Sequence, residues 1–425
     1  MGVETLALCG LSIKFVDASC QPYGPIHFSR LVLPSGAALG DDAPRRGEIS
    51  GLEKLADFVI IGGGVYGAGV AYWLAEQGAD VRLLEVRKIG NGASAGPGRR
   101  GTRANGRDLR ELPLIRIAHE MWPTLHERLG VPQFFDRTGH LLLIEREQDL
   151  ALGEARALLQ NQYGTETHVL TAGQVHEMEP GLSDRIIGAL HCPLDGASDH
   201  TAVTEAFANA ARRAGANICE GTAVDRLEVD GGRVVAVISS EGEQIEVGRR
   251  LFVLANAGVD ALVRDRVRLP IWSRTFQVLL TAREETLTLK HLIGHASRTL
   301  ALKAEDGHRI MISGGLPGTW DAQAERGTAL EASIAANFAD AVAVYPGLAD
   351  VAVELADADH LETSAIDMIP VIDRVPGVDN ALYATGWCGH GWAIAPAITQ
   401  MLAEWGESGA LSPLLAPFSH DRFCP

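Results

Sequence analysis

The sequence predicts an α/β protein in which a domain of strand, turn and helix units is interleaved with an α+β domain carrying a mixed or antiparallel sheet. Three observations carry this. A β-branched run, Phe58-Val59-Ile60-Ile61, leads directly into a glycine-rich turn and a helix. A second short apolar run ends in Glu85, and a third, Leu251-Phe252-Val253-Leu254, ends in small residues far along the chain.

Composition sets the outer limits. At 425 residues and 46% hydrophobic content, the chain can bury one large core or two linked ones. Its 54 acidic and 37 basic residues leave a formal charge of −17, which repels phosphate backbones and argues against general nucleic-acid binding. No apolar run reaches the ~18–20 residues of a membrane-spanning helix. Cys9, Cys20, Cys192, Cys219, Cys388 and Cys424 are dispersed without a CxxC pair, so neither a zinc site nor a disulfide framework is indicated and a cytoplasmic setting is expected. Residues 1–56 read as an N-terminal extension without the features of a secretory signal. Pro22, Gly24, Pro25, Pro34, Gly36, Gly40, Pro44 and Gly47 leave it little room for a regular element, so disorder or an over-called gene start is the expectation.

The first run fits a strand buried on both faces, and Gly62-Gly63-Gly64-Val65-Tyr66-Gly67 follows at once. Val70 and Leu74, with Ala71 and Ala75 beside them, give the next segment a helical face whose small side chains allow close approach to a sheet. Gly78 ends that helix, and Val81-Arg82-Leu83-Leu84 reads as a second strand closing on Glu85, 23 residues after Gly62. In such a unit Gly62 permits the tight turn, Gly64 lets a pyrophosphate approach the backbone, and Gly67 lets the helix sit against the strand. The helix N-terminus, from Val65 onward, offers free N–H groups and positive partial charge to phosphates, and Glu85 is placed to bond both hydroxyls of an adenosine ribose. A glycine-rich turn by itself often serves packing alone. The full set of strand, turn, helix, second strand and terminal Glu is what points to a dinucleotide.

Residues 91–103 are small, flexible and basic, unlike the plain helix expected after the second strand of a nicotinamide-binding unit, and can wrap a longer cofactor. Between residues 80 and 116 there are nine basic side chains and four acidic ones, a local reversal of charge that suits a diphosphate and an anionic substrate. Both features favour FAD over NAD. Further on, Asp199 caps a helix through Arg213 that Gly215 ends, and residues 223–247 read as short strands joined at Asp230-Gly231-Gly232 and Glu241-Gly242. Residues 251–258 form a separate buried strand, and residues 276–280 and 309–313 are the leading strands of the second domain.

The opening motif, the loop around Ser94 and the late Leu382-Tyr383-Ala384-Thr385-Gly386-Trp387-Cys388-Gly389-His390-Gly391-Trp392 together resemble the D-amino-acid oxidase, glycine oxidase and sarcosine oxidase family of flavoenzymes, from Phe58 to the C-terminus. Ser94, Arg100, Arg103, Arg110 and Glu111 fall on identical residue types in the corresponding loop of monomeric sarcosine oxidase. The resemblance implies a Rossmann-like FAD-binding domain from residues 57–111, 189–261 and 346–425, and a substrate domain from 112–188 and 262–345. It implies FAD contacts at Gly62, Gly64, Val65, Gly67, Glu85, Ser94, Arg100, Val224, Ala257, Gly258, Gly386, Gly389, His390, Gly391 and Trp392. The late glycine cluster would pass the isoalloxazine ring and open a helix that begins at Ala395-Pro396-Ala397, with Pro396 in its first turn. That helix N-terminus would stabilise negative charge on reduced flavin.

The implied activity is oxidation of a C–N bond of an amine or amino acid, with hydride passing to flavin N5 and oxygen as acceptor. The protein then has to hold the reacting carbon near N5, favour the neutral amine, and set positive charge where oxygen is reduced. Arg103, His390, Lys290 and Glu362 are the catalytic candidates. Arg103 matches a family Arg near the flavin, His390 sits inside the glycine cluster, and Lys290 falls close to the family Lys that helps oxygen react. Glu362 occupies the place of glycine oxidase's carboxylate-binding Arg, so a substrate ammonium suits it and a carboxylate does not. A larger or secondary amine is therefore expected in preference to glycine. Arg107, Arg274 and Arg309 are further carboxylate partners. Sarcosine oxidase carries a Lys where this chain has Ala393, and a flavin-tethering Cys where it has His360, so FAD is expected to be dissociable. No metal site is expected, and the partners are the amine and oxygen, without nucleic acid or membrane. Two alternatives remain: a flavin dehydrogenase, alone or as subunit of a multi-subunit one, and a non-catalytic flavoprotein module.

Overall fold

The computed structural model describes residues 5–8, 11–14, 55–92, 94 and 98–424. Five parallel strands form the centre of the first sheet, in the spatial order Asn217–Glu220, Val81–Glu85, Leu55–Ile61, Gln244–Val253 and Ala381–Thr385. Side-chain alternation explains the unbroken apolar run in Leu55–Ile61. Phe58 and Ile60 pack under the helices Val65–Glu76, His200–Arg213 and Gly391–Ser408, while Val59 and Ile61 pack with Leu251, Val253 and Tyr383 on the other face. The helix His200–Arg213 starts where expected because the Asp199 carboxylate accepts the Ala202 N–H at 2.7 Å.

The second sheet has eight strands, in the order Val353–Asp357, Val278–Thr281, Ile310–Ser313, Ala301–Ala304, Leu292–His295, His140–Ile144, Gly188–Cys192 and His168–Thr171. One pair is parallel and the rest antiparallel, so the sheet is mixed. Leu302, Ile310 and Ile312 join a core with Phe338 of the helix Glu331–Val344. Alternation turns Lys303, Met311 and Ser313 to the opposite face, toward residues 98–102.

Four expectations are corrected. Residues 244–253 are one strand, not two, because an irregularity between Val247 and Arg250 lets its first half pair with Arg233–Ser239 and its second half with Ala381–Thr385. The basic loop contains a strand, Arg99–Thr102, paired antiparallel with Gly196–Asp199. At Gly101 the strand passes close to Leu292, whose side chain would lie 2.7 Å from a Cβ there. Within residues 1–56, Thr5–Leu8 pairs with Leu11–Lys14, a regular element where none was expected, and the first strand of the large sheet begins at Leu55; the intervening residues lie outside those described. In the second domain, the strand expected at residues 276–280 is Val278–Thr281, and the preceding Ile271–Thr275 pairs with Leu361–Ala365 as a separate ribbon. Gly188–Cys192 and Val353–Asp357, close to the expected domain bounds at residues 188 and 345, both pair in the second sheet. Among the described residues no helix is long and apolar enough to cross a membrane.

Candidate active site

The turn after Leu55–Ile61 is built by glycines that no other residue replaces. Gly62 has φ +109°, and a Cβ on it would lie 2.6 Å from the Leu254 carbonyl oxygen; one on Gly67 would lie 1.8 Å from the Gly62 oxygen. Gly64, by contrast, faces nothing within 4 Å. It is the N-cap of Val65–Glu76 and supplies no side-chain cap, so the first N–H groups of that helix lack a side-chain acceptor. The Glu85 carboxylate accepts the N–H of Gly63 at 2.5 Å and of Arg87 at 2.8 Å, bracing the turn from the end of the second strand. Val224 opens the strand Val224–Asp230, two residues after the Thr222 N–H that bonds the Glu85 carbonyl. Ala257 and Gly258 lie in the 3-10 turn Asn256–Gly258, whose first carbonyl accepts the Thr385 hydroxyl at 2.8 Å.

The late glycine cluster reverses the chain sharply. Gly386, Cys388 and Gly389 have φ of +72°, +57° and +69°. The Cys388 N–H donates to Thr363 at 3.0 Å, which lays the turn on Leu361–Ala365. Tyr66 stacks on Trp387 with ring centroids 3.6 Å apart, and its hydroxyl donates to the Gly391 carbonyl at 2.6 Å. Trp392 donates through Nε1 to Ser198 at 3.0 Å. The helix starts at Gly391, not Ala395, because the positive-φ turn delivers the chain into helical geometry at once. Pro396 is thus its sixth residue and forfeits only the bond to the Trp392 carbonyl.

Where this turn meets Leu361–Ala365 lies Glu362, 2% exposed. It accepts the Ser94 hydroxyl and the Thr363 N–H, the latter at 3.1 Å. Burial pushes its carboxyl up to about 7, against the hydrogen bonds from Ser94, Gly389 and Thr363 and the charge of Arg274. Arg274 is its cross-strand partner and stacks its guanidinium over Phe276 at 4.6 Å.

A second charged group underlies the strand Arg99–Thr102. Lys303 is 6% exposed, donates to the Ser313 hydroxyl at 3.0 Å, and is lowered to about 7 by burial, by Arg100 and, more weakly, by Arg103, with Glu305 opposing. Burial also lowers Arg100 and Arg103 to about 10. Arg100 reaches the Met311 sulfur at 3.9 Å, and Arg103 donates to the Asn105 carbonyl at 2.6 Å. Beside them, Arg107 and Glu111 form a buried pair at 3.7 Å, with His390 Nδ1 4.0 Å from the other Glu111 oxygen. Burial, then the Arg107 and Arg103 charges, hold His390 well below its usual range, so its ring is neutral.

A family model described as DAO, FAD dependent oxidoreductase, matches residues 57–405. The chain belongs to this family of FAD-dependent oxidoreductases. Sarcosine oxidase subunit beta of Rhizobium meliloti (strain 1021) is 26% identical over 376 residues, covering 86% of this chain and 88% of that protein. Glycine oxidase of Bacillus licheniformis is 26% identical over 360 residues, covering 83% and 93%. Among solved structures, glycine oxidase from Bacillus cereus ATCC 14579 matches with a TM-score of 0.74 and 26% identity over 85% of this chain and 97% of that one. L-proline dehydrogenase from P. horikoshii, at a TM-score of 0.79 and 24% identity over 87% and 98%, shows the fold.

The oxidoreductase's residues fit FAD. The open space at Gly64 and the uncapped helix N-terminus suit its diphosphate. Near the late turn, buried atoms of Arg107, Glu111 and His390 have no hydrogen-bond partner among the described residues, leaving polar capacity for a ligand. His360 is partly buried with its ring 4.0 Å from Asp357.

The Lys290 side chain is exposed, and its backbone N–H donates to Glu179 at 2.8 Å. Lys303 is the lysine beside Arg100, and sequence reasoning missed it. The available signal was a lone lysine alternating with Leu302 in an apolar run, which marks a strand position facing away from the main core. Arg309 pairs with Glu354 at 3.0 Å.

Proposed function

We propose that the enzyme oxidises a C–N bond of an amine lacking a carboxylate near nitrogen, with oxygen as electron acceptor. FAD, when bound, supplies the hydride acceptor at N5. The observation that carries the substrate class is Glu362, a buried carboxylate in contact with Ser94 and the late turn, in the position where the glycine oxidase resemblance calls for an Arg. Ionised, it attracts an ammonium and repels a carboxylate, and Arg274 opposite limits the charge it leaves uncompensated. With a carboxyl near 7, Glu362 can also take a proton from an incoming ammonium, which favours the neutral amine that hydride loss requires.

Gly62, Gly64, Val65 and Gly67 would hold the diphosphate, Glu85 the ribose, Val224 the adenosine side, and Ser94, Arg100, Ala257, Gly258, Gly386, Gly389, His390, Gly391 and Trp392 the remainder. Lys303, with Arg103 near it, is the proposed source of positive charge for oxygen reduction, the role the resemblance gave to Lys290. Exchanging Glu362→Arg should improve turnover of small amino acids and impair that of the preferred amine, since reversing one buried charge alters binding by roughly 2–5 kcal/mol. An unaltered substrate profile would remove Glu362 from the pocket.

A further inference from the structure

We propose that His168, His191 and His291 form a binding site for one divalent transition-metal ion of borderline softness, with Zn²⁺ as the reference ion. The three imidazoles lie on or beside the strands His168–Thr171, Gly188–Cys192 and Leu292–His295 of the mixed sheet. His168 and His191 are directly opposed cross-strand partners with ring centroids 6.3 Å apart. The rings of His191 and His291 are 5.9 Å apart and nearly perpendicular. Gly139 lies between these two. A Cβ on it would sit 2.9 Å from His191 Nε2 and 3.4 Å from His291 Cδ2, so the missing side chain keeps the space between the rings open.

His291 carries the mark of a ligand already oriented. Its Nδ1 is 2.7 Å from Glu179 Oε1, a carboxylate 1% exposed that also accepts the N–H groups of Lys290 and His291. A carboxylate on one ring nitrogen is the usual outer partner of a metal-bound histidine, because it fixes the proton there and leaves the other nitrogen its lone pair. His168 is exposed, and its ring has to turn for its nitrogen to meet those of the other two, whose rings stand about 6 Å from one another. Three imidazole nitrogens with a solvent-held fourth position suit Zn²⁺ at ~2.0–2.1 Å, and disfavour Mg²⁺, which prefers oxygen. The ion would link the edge strand His168–Thr171 through Gly188–Cys192 to Leu292–His295.

The test uses FAD-loaded full-length protein carrying Cys424→Ser, which disables the separate His420, Asp421 and Cys424 group near the C-terminus. Equilibrium dialysis and melting in chelator-free buffer compare ZnCl₂ with MgCl₂. One Zn²⁺ per chain should bind at micromolar free metal and raise Tm, with no response to Mg²⁺. His191→Gln should weaken zinc binding at least ~10-fold, and Glu179→Gln by ~10–100-fold, with flavin content unchanged. Absence of zinc binding by the parent at that concentration, or equal zinc binding and Tm response in His191→Gln and His291→Gln, would overturn the assignment.

Discussion

Replacing Glu362 by Gln should remove a pH dependence that the wild-type enzyme carries near neutrality. Burial raises this carboxyl from 4.5 to about 7, so the folded protein holds the proton more tightly than the unfolded chain does. The resulting stabilisation is complete below about pH 4.5 and is lost as pH rises through about 7. The difference corresponds to roughly 3 kcal/mol between the two ends of that range. Gln keeps the shape and an acceptor for Ser94 but has no proton to lose, so the variant's Tm should fall by a few degrees less than wild type over the upper half of that range. The assay is flavin-fluorescence melting of both FAD-loaded proteins across one buffer series, with kcat/KM for the best amine at each pH. Wild-type kcat/KM should climb as Glu362 ionises near pH 7, and the variant should lack that limb. Parallel melting curves together with the same climb in both proteins would refute the burial and the role.

Two further outcomes follow from the geometry. Glu85→Gln retains an acceptor for the Gly63 N–H but loses the charge facing the ribose, so FAD should bind more weakly by ~1.5–3 kcal/mol in a fluorescence titration of apoprotein; an unchanged Kd would remove the ribose assignment. Lys303→Met should slow reoxidation of the reduced enzyme by oxygen by ~10²-fold, the scale of losing one preorganised donor, while leaving reduction by amine nearly unchanged. Wild-type reoxidation should also fall as pH rises through about 7, where Lys303 loses its charge, and equal stopped-flow reoxidation rates in the two proteins would exclude Lys303 from that step.

The segment from Phe58 to Glu85 was legible in the sequence because its determinants are local. Gly62 and Gly67 are dictated by a φ angle and by a contact within one turn, and the strand by alternation between two cores. The Asp199 cap was legible for the same reason. Lys303 was not, because its burial depends on Arg99–Thr102, some two hundred residues earlier, lying across the open face of the mixed sheet. Lys290 was proposed from resemblance alone, and it lies in the loop just before Leu292–His295, where no local pattern fixes the direction of a side chain. Pro396 misled for a physical reason: a proline suits a first turn, yet the positive-φ glycines before His390 set the helix start four residues earlier. Glu362 was singled out by resemblance alone, and its contact with Ser94 joins chain segments 268 residues apart.

Anaerobic titration of the FAD-loaded protein with a panel of amines and amino acids, followed as loss of flavin absorbance, tests C–N bond oxidation at this site most directly. A secondary or bulky amine without a carboxylate near nitrogen should bleach the flavin faster than glycine or sarcosine, and admitting air should restore the colour with release of peroxide. Bleaching by no member of the panel, or fastest bleaching by glycine, would contradict the proposed chemistry.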